Sequence, residues 1–245
     1  MSDLSLQLQQ ATSQFPVSSY FSEALFQREL ETIFAKGPRY VGHAAAVPHV
    51  GDYYALPQEN EGRALVHTPN GIQLISNVCR HRQAVMLKGR GTLPQGNNIV
   101  CPLHRWTYSS EGTLLGAPHF PEDPCLNLNK YQLQNWNGLL FEDNGRDIHA
   151  DLADMGPASA LNFDGFVLSH VESHICNYNW KTFIEVYLED YHVGPFHPGL
   201  GNFVTCDDLA WEFKPEYSVQ TVGIANQLQK PGSPVYQKWH EVLMQ

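Results

Sequence analysis

The chain has 245 residues, 42% of them hydrophobic, enough to bury a core in one or two domains. Only 16% of residues are charged, and a formal charge of -10 argues against nucleic acid and anionic membrane surfaces as partners. No apolar run approaches the length needed to span a bilayer, and Met1-Ser2-Asp3-Leu4-Ser5 has neither the basic flank nor the apolar core of a secretory signal, so a soluble, cytoplasmic protein is expected. Five scattered cysteines do not suggest a disulfide framework. Cys125, Cys176 and Cys206 lack ligand partners at any recognisable spacing and read as ordinary buried thiols.

Residues 1 to about 16 are polar and Gln-rich, a tail expected to be poorly ordered. From Ser18 to Lys36 the residues Phe21, Leu25, Leu30, Ile33 and Phe34 recur at helical spacing, ending at Gly37-Pro38. Between Tyr40 and Phe141 the pattern changes to short apolar runs. Pro69-Asn70-Gly71, Glu111-Gly112 and Trp136-Asn137-Gly138 break it as hairpin turns do, which indicates a small antiparallel β domain. Arg146 to Met155 reads as a short helix closed by Gly156-Pro157, and Phe163 to Cys176 alternates as a strand would. Asn179 to Tyr191 then reads as a helix with Trp180, Phe183, Ile184, Tyr187 and Tyr191 as its apolar stripe. Strand-like segments follow at Trp211 to Phe213 and Ser218 to Ile224.

Two ligand pairs lie inside the β region: Cys79-Arg80-His81, then Cys101-Pro102-Leu103-His104. In a Rieske two-iron, two-sulfur centre one iron takes two thiolates and the other two imidazoles. Two loops approaching such a cluster side by side must each supply one Cys and one His, which a CxH loop and a CxxH loop do. A zinc finger instead takes its two cysteines from one hairpin and its two histidines from a helix, so a mixed-ligand zinc site is the lesser alternative. Asn77-Val78 before the first pair and Trp106-Thr107-Tyr108 after the second resemble the flanks of Rieske loops, with Trp106 and Tyr108 read as packing residues rather than electron-transfer stations. Between Glu61 and Glu111 there is no acid, yet Arg63, Arg80, Arg82, Lys88, Arg90 and Arg105 all fall there. This basic stretch is either a solvated surface or a docking surface for an acidic electron donor.

A second constellation follows on the Asn179 helix: Glu185, Glu189, His192 and His197. Spacings of four and three put Glu185, Glu189 and His192 on one helical face, and Gly194-Pro195 lets His197 turn back toward His192. Two imidazoles suit a divalent metal, and with one carboxylate they make the triad of oxygen-activating Fe(II) enzymes; a purely structural histidine pair is the competing reading.

The Cys-x-His and Cys-x-x-His loops, followed by Asn179-Trp180-Lys181, an acidic helix and two histidines, resemble the α subunit of Rieske non-haem iron oxygenases over about Tyr20 to Phe203. The resemblance implies an α+β fold: a tail and helix at 1–37, an antiparallel β Rieske domain at 38–145, and the N-terminal part of a helix-grip catalytic domain at 146–245. It implies that His192 and His197 ligate a mononuclear Fe(II), and that Glu189 bridges the Rieske site of one subunit to the iron of its neighbour in a homotrimer. It implies electrons drawn ultimately from NAD(P)H through a separate reductase or ferredoxin, and a small organic substrate hydroxylated or demethylated with O2. Three departures stand out. The bridging acid is usually Asp, and Glu189 resembles the variant in members acting on quaternary amines such as carnitine. Gln83 and Arg105 stand where the family generally has Gly. The family's carboxylate ligand lies more than a hundred residues past the histidines, beyond Gln245, so a C-terminally truncated chain is expected; a separate chain, or Glu189 itself as ligand, are the alternatives. A Rieske electron carrier without chemistry of its own, and a zinc-binding interaction module, are the competing functions.

Overall fold

The computed structural model describes residues 15–94, 96–189, 192–197, 200 and 204–224. It has two compact units, one spanning Glu23–Ile175 and one formed by Met1–Ser22 with Cys176–Gln245.

In the first unit, α1 (Glu23–Glu29) continues into a wider π turn at Leu30–Phe34, a less regular form of the expected helix. Gly37 ends it by donating its N–H to Ile33, at an approach so close that a Cβ on Gly37 would lie 2.7 Å from that carbonyl oxygen. Eleven short strands follow: β1 (Arg39–His43), β2 (Asp52–Ala55), β3 (Arg63–Thr68), β4 (Gly71–Ser76), β5 (Arg90–Thr92), β6 (Asn98–Val100), β7 (Thr107–Ser109), β8 (Leu114–Gly116), β9 (Lys130–Tyr131), β10 (Leu133–Trp136) and β11 (Leu139–Glu142). They form antiparallel sheets ordered β5-β2-β3-β4-β9, β1-β11-β10 and β6-β7-β8.

Alternation along β3 and β4 organises the core. Ala64, Val66 and Ile75 point into one apolar cluster, shared with Ile99, Tyr108 and Leu114 of the β6-β7-β8 sheet and with Cys79, Cys101 and Trp106. Their neighbours Leu65 and Leu74 point the other way, into a second cluster with Val41 and Leu140 of the β1-β11-β10 sheet. The central hairpin is thus buried on both faces, and one face carries the two cysteine loops. Arg63, at the start of β3, is also buried; its guanidinium forks onto Glu59 at 2.5 and 2.6 Å and reaches Glu142 at 2.8 Å. One cation of the acid-free stretch is therefore an internal structural group.

The β10–β11 turn takes Asn137 and Gly138 through positive φ, as its Asn-Gly sequence requires. Gly138 accepts the Ala44 N–H, and the His43 ring packs on it so closely that a Cβ there would meet ring atoms at 2.8 Å.

Past the β region the sequence reading needs correction. The helix expected over Arg146 to Met155 is only α2 (Ile148–Asp151), capped by Asp147, and Gly156-Pro157 opens a 3-10 helix to Leu161 instead of closing a helix. Phe163 to Cys176 forms no strand: alternation supplies a tendency, but a strand needs a neighbour, and Ile175 is 99% exposed. In the second unit α3 spans Trp180–Tyr187, where Asn179 caps it by accepting the Lys181 N–H at 3.0 Å. Tyr191 lies outside the described residues. Among the described residues no core covers the apolar stripe of α3, where Phe183 and Tyr187 are 51% and 60% exposed. A four-residue helix, α4 (Val193–Phe196), and the hairpin β12 (Val204–Phe213) with β13 (Ser218–Ile224) complete the described part. Cys125 and Cys176 are exposed rather than buried, both sitting in segments without strand or helix, and the side chain of Cys206 lies outside the described residues. Among the described residues no helix is long and apolar enough to cross a membrane.

Candidate metal centres

The two cysteine loops leave β4 and β6 and repeat one hydrogen-bond pattern. The Cys79 N–H donates to the Ala84 carbonyl at 2.9 Å, and the Gln83 N–H returns to the Cys79 carbonyl at 3.0 Å. In the second loop the Cys101 N–H donates to Trp106 at 2.8 Å, and the Arg105 N–H returns to Cys101 at 3.0 Å. Each loop reverses through a left-handed residue, Gln83 at φ 57° and Arg105 at φ 63°. These are the two positions where the family generally has Gly, and the backbone shows why.

Both cysteines are buried, and the rings of His81 and His104 lie 4.7 Å apart between centroids. Trp106 stacks on His81 at 4.9 Å with planes within 6°, and Phe120 meets both rings edge-on. The Nδ1 of His81 is buried without a hydrogen-bond partner. Removal from water, and then the nearby His104 and Arg82, lower the pKa of His81, which favours the neutral ligand form. An unpartnered buried imidazole nitrogen beside a second imidazole and two buried thiols fits a cluster with two sulfur and two nitrogen ligands.

Neighbouring groups hold this arrangement in place. Asn77, fully buried, donates to the carbonyls of Glu61 and Leu87 at 2.8 and 2.7 Å and accepts the Leu87 N–H at 2.8 Å, tying the root of the first loop to its return. The Tyr108 hydroxyl lies 3.6 Å from Cys79 Sγ and accepts the Arg80 N–H at 3.1 Å. Burial, then the Cys79 contact, raises the Tyr108 pKa and keeps the phenol a donor. Phe120 escaped sequence reading because it sits in a loop, where no periodicity marks an aromatic.

At the second constellation the single helical face is corrected, since α3 stops at Tyr187, before Glu189 and His192. Glu185 is taken up by Tyr20, whose hydroxyl donates to its carboxylate. Glu189 and His192 do meet: a carboxylate oxygen lies 2.5 Å from His192 Nδ1, and the other accepts the His192 N–H at 3.3 Å. Gly194-Pro195 falls inside α4, and the rings of His192 and His197, which flank that helix, lie 5.4 Å apart. With Nδ1 turned to Glu189, His192 has Nε2 left for a metal. Among the described residues no three His, Cys, Asp or Glu side chains converge on one ion-sized point. Two imidazoles and an adjoining carboxylate suit a mononuclear iron with further ligands still to be supplied.

Residues 38–134 match the Rieske [2Fe-2S] domain, and residues 147–242 match the catalytic domain of ring-hydroxylating α subunits. The whole chain is 62% identical over 246 residues to a putrescine 2-hydroxylase of Ralstonia nicotianae. The chain belongs to the Rieske non-haem iron oxygenases. Cofactors of this family are a Rieske [2Fe-2S] cluster and a mononuclear iron, and its electrons come through a separate reductase. A carnitine monooxygenase oxygenase subunit of Acinetobacter baumannii is 28% identical over 79% of this chain. The crystal structure of a quaternary ammonium Rieske monooxygenase with a bound inhibitor superposes with a TM-score of 0.70 at 25% identity, covering 86% of this chain and 62% of that one. The chain spans 66% of the Ralstonia relative's length and 55% of the Acinetobacter relative's.

Proposed function

We propose that this chain is part of the oxygenase component of a Rieske system that hydroxylates or demethylates a small aliphatic amine with O2. The observation carrying this is the joint presence of two ligand sets: Cys79, His81, Cys101 and His104 on matched loops, and His192 with His197 beside Glu189. A stand-alone electron carrier leaves the match over residues 147–242 without a role. The amine assignment rests on relatives named for putrescine and carnitine and on Glu in place of Asp at 189.

In this reading Cys79, His81, Cys101 and His104 hold the two-iron cluster, and His192 and His197 hold the mononuclear iron. When bound, the cluster supplies single electrons and the iron supplies open positions for O2 and substrate. The chain's own groups do the rest. Trp106 and Phe120 shield His81 from water, Tyr108 donates toward the Cys79 sulfur, and Glu189 fixes the tautomer of His192 while bridging toward a neighbouring subunit's cluster in a homotrimer. Arg80, Arg82, Lys88, Arg90 and Arg105 are all exposed around the two loops and favour an acidic reductase or ferredoxin. The division into 1–37, 38–145 and 146–245, and a cytoplasmic location, belong to the same proposal.

Iron, zinc and acid-labile sulfide content, EPR after reduction, and product formation from putrescine and carnitine with a reductase test the reading. His192→Ala is expected to abolish product while leaving the Rieske spectrum intact. Unchanged turnover in that variant, or zinc without sulfide in the parent, would overturn it.

A further inference from the structure

Trp106 follows His104 by two residues and is among the largest fully buried side chains, only 1% exposed. Its backbone is already anchored, since its carbonyl accepts the Cys101 N–H at 2.8 Å. The indole Nε1 is different: it is buried and meets no hydrogen-bond partner among the described residues. An indole nitrogen can only donate, so the partner it lacks is an acceptor. The indole also lies flat against the ring of His81, whose buried Nδ1 is likewise without a partner. Two unsatisfied ring nitrogens thus belong to one stacked pair, and Trp106 shares its buried cluster with Cys79 and Cys101.

Two plain readings compete. One is that the ring only shields His81, but phenylalanine would do that without stranding a donor, and stranded donors are rare in native interiors. The other is a buried water, which needs about two to four polar partners. Besides Trp106, the buried members of this cluster are aliphatic side chains, the two cysteines and Tyr108. The Tyr108 hydroxyl is already engaged by Cys79 and the Arg80 N–H. A two-iron, two-sulfur cluster on the four ligands brings sulfur acceptors into this apolar interior. Hydrogen bonds to those sulfurs are one of the ways a protein sets the cluster's potential.

We propose that the indole N–H of Trp106 donates a hydrogen bond to a sulfur of the cluster and raises its reduction potential, so that Trp106 tunes the cluster as well as shielding it. The inference rests on Cys79, His81, Cys101 and His104 being the cluster ligands. The reduced cluster carries one more negative charge than the oxidised one, and a donor at its sulfur favours that state.

The test uses the cluster-loaded full chain. The parent is compared with Trp106→Phe and with a chain carrying benzothienylalanine at position 106, which keeps the indole outline but has sulfur in place of N–H. Redox titration followed by EPR gives the potential, and electron spin-echo modulation of the reduced cluster in heavy water reads the exchangeable deuterons beside it. Both variants are expected to shift the reduced-to-oxidised ratio about tenfold toward oxidised, a drop of about 59 mV for a one-electron couple. Each is also expected to lose one deuteron coupling. Unchanged deuteron couplings in the benzothienylalanine chain would overturn the donor, whatever the potential does. A parent with iron but no Rieske EPR signal would instead overturn the ligand assignment, and the donor with it.

Discussion

Gln83 and Arg105 hold the same place in two different loops: each lies four residues after a cysteine, donates its N–H to that cysteine's carbonyl, and carries a left-handed backbone. The side chain clashes in that conformation, at about 1–2 kcal/mol for an L residue. Glycine avoids the clash but surrenders some entropy on folding. Gln83→Gly and Arg105→Gly are therefore expected each to stabilise the cluster-loaded protein by about 0.5–1 kcal/mol. Denaturant midpoints measure this. Destabilisation by both variants would mean that the side chains contribute more than the backbone strain costs.

Asn77 is a candidate for a large loss. Leucine at this position fills the volume but strands the Leu87 N–H and the carbonyls of Leu87 and Glu61. A cost of about 3 kcal/mol or more is expected for Asn77→Leu, with reduced cluster content as purified. Full iron and sulfide at unchanged stability would show that the first loop is held by other groups.

Tyr108→Phe addresses the cluster's potential rather than its presence. A hydrogen bond toward a ligand sulfur stabilises the reduced, more negative state. Losing one worth about 1.4 kcal/mol corresponds to a drop of roughly 60 mV for a one-electron couple. Redox titration followed by EPR reads the change. A potential that stays put would mean that the hydroxyl serves the Arg80 N–H alone.

Acid sensitivity is expected from Glu59. Its hydrogen bonds to Arg63 are the largest cause holding its carboxyl below the ordinary value of 4.5, with burial opposing them. A depressed folded-state value means stability that is present above pH 4.5 and lost as the pH falls through the folded value. Glu59→Gln is expected to cost about 2 kcal/mol at pH 7, the pair being only partly buried, and less as the pH drops below 4.5. Urea midpoints across pH check it; a constant gap between parent and variant would place the effect in packing instead.

Local chemistry was legible in the sequence where it stays local. Cys79, His81, Cys101 and His104 carry their meaning in spacing, and Asn137-Gly138 in backbone sterics. Features that depend on distant partners were not. Among the described residues the strand expected over Phe163 to Cys176 finds no neighbour, and no core covers the apolar stripe of α3. Glu185 looked like a companion of Glu189 by spacing, yet Tyr20 takes it. Arg63 looked like one more surface cation, and only the fold brings Glu59 and Glu142 around it.

The His43 ring rests where a side chain at position 138 would begin, and the turn there already demands positive φ. A substitution of Gly138 thus meets two penalties at once, and shrinking residue 43 removes only one of them. The order of change matters: a smaller residue at 43 opens a route that is closed to any first step at 138. Among descendants of this chain the two positions should show directional epistasis, with variation at 43 preceding variation at 138.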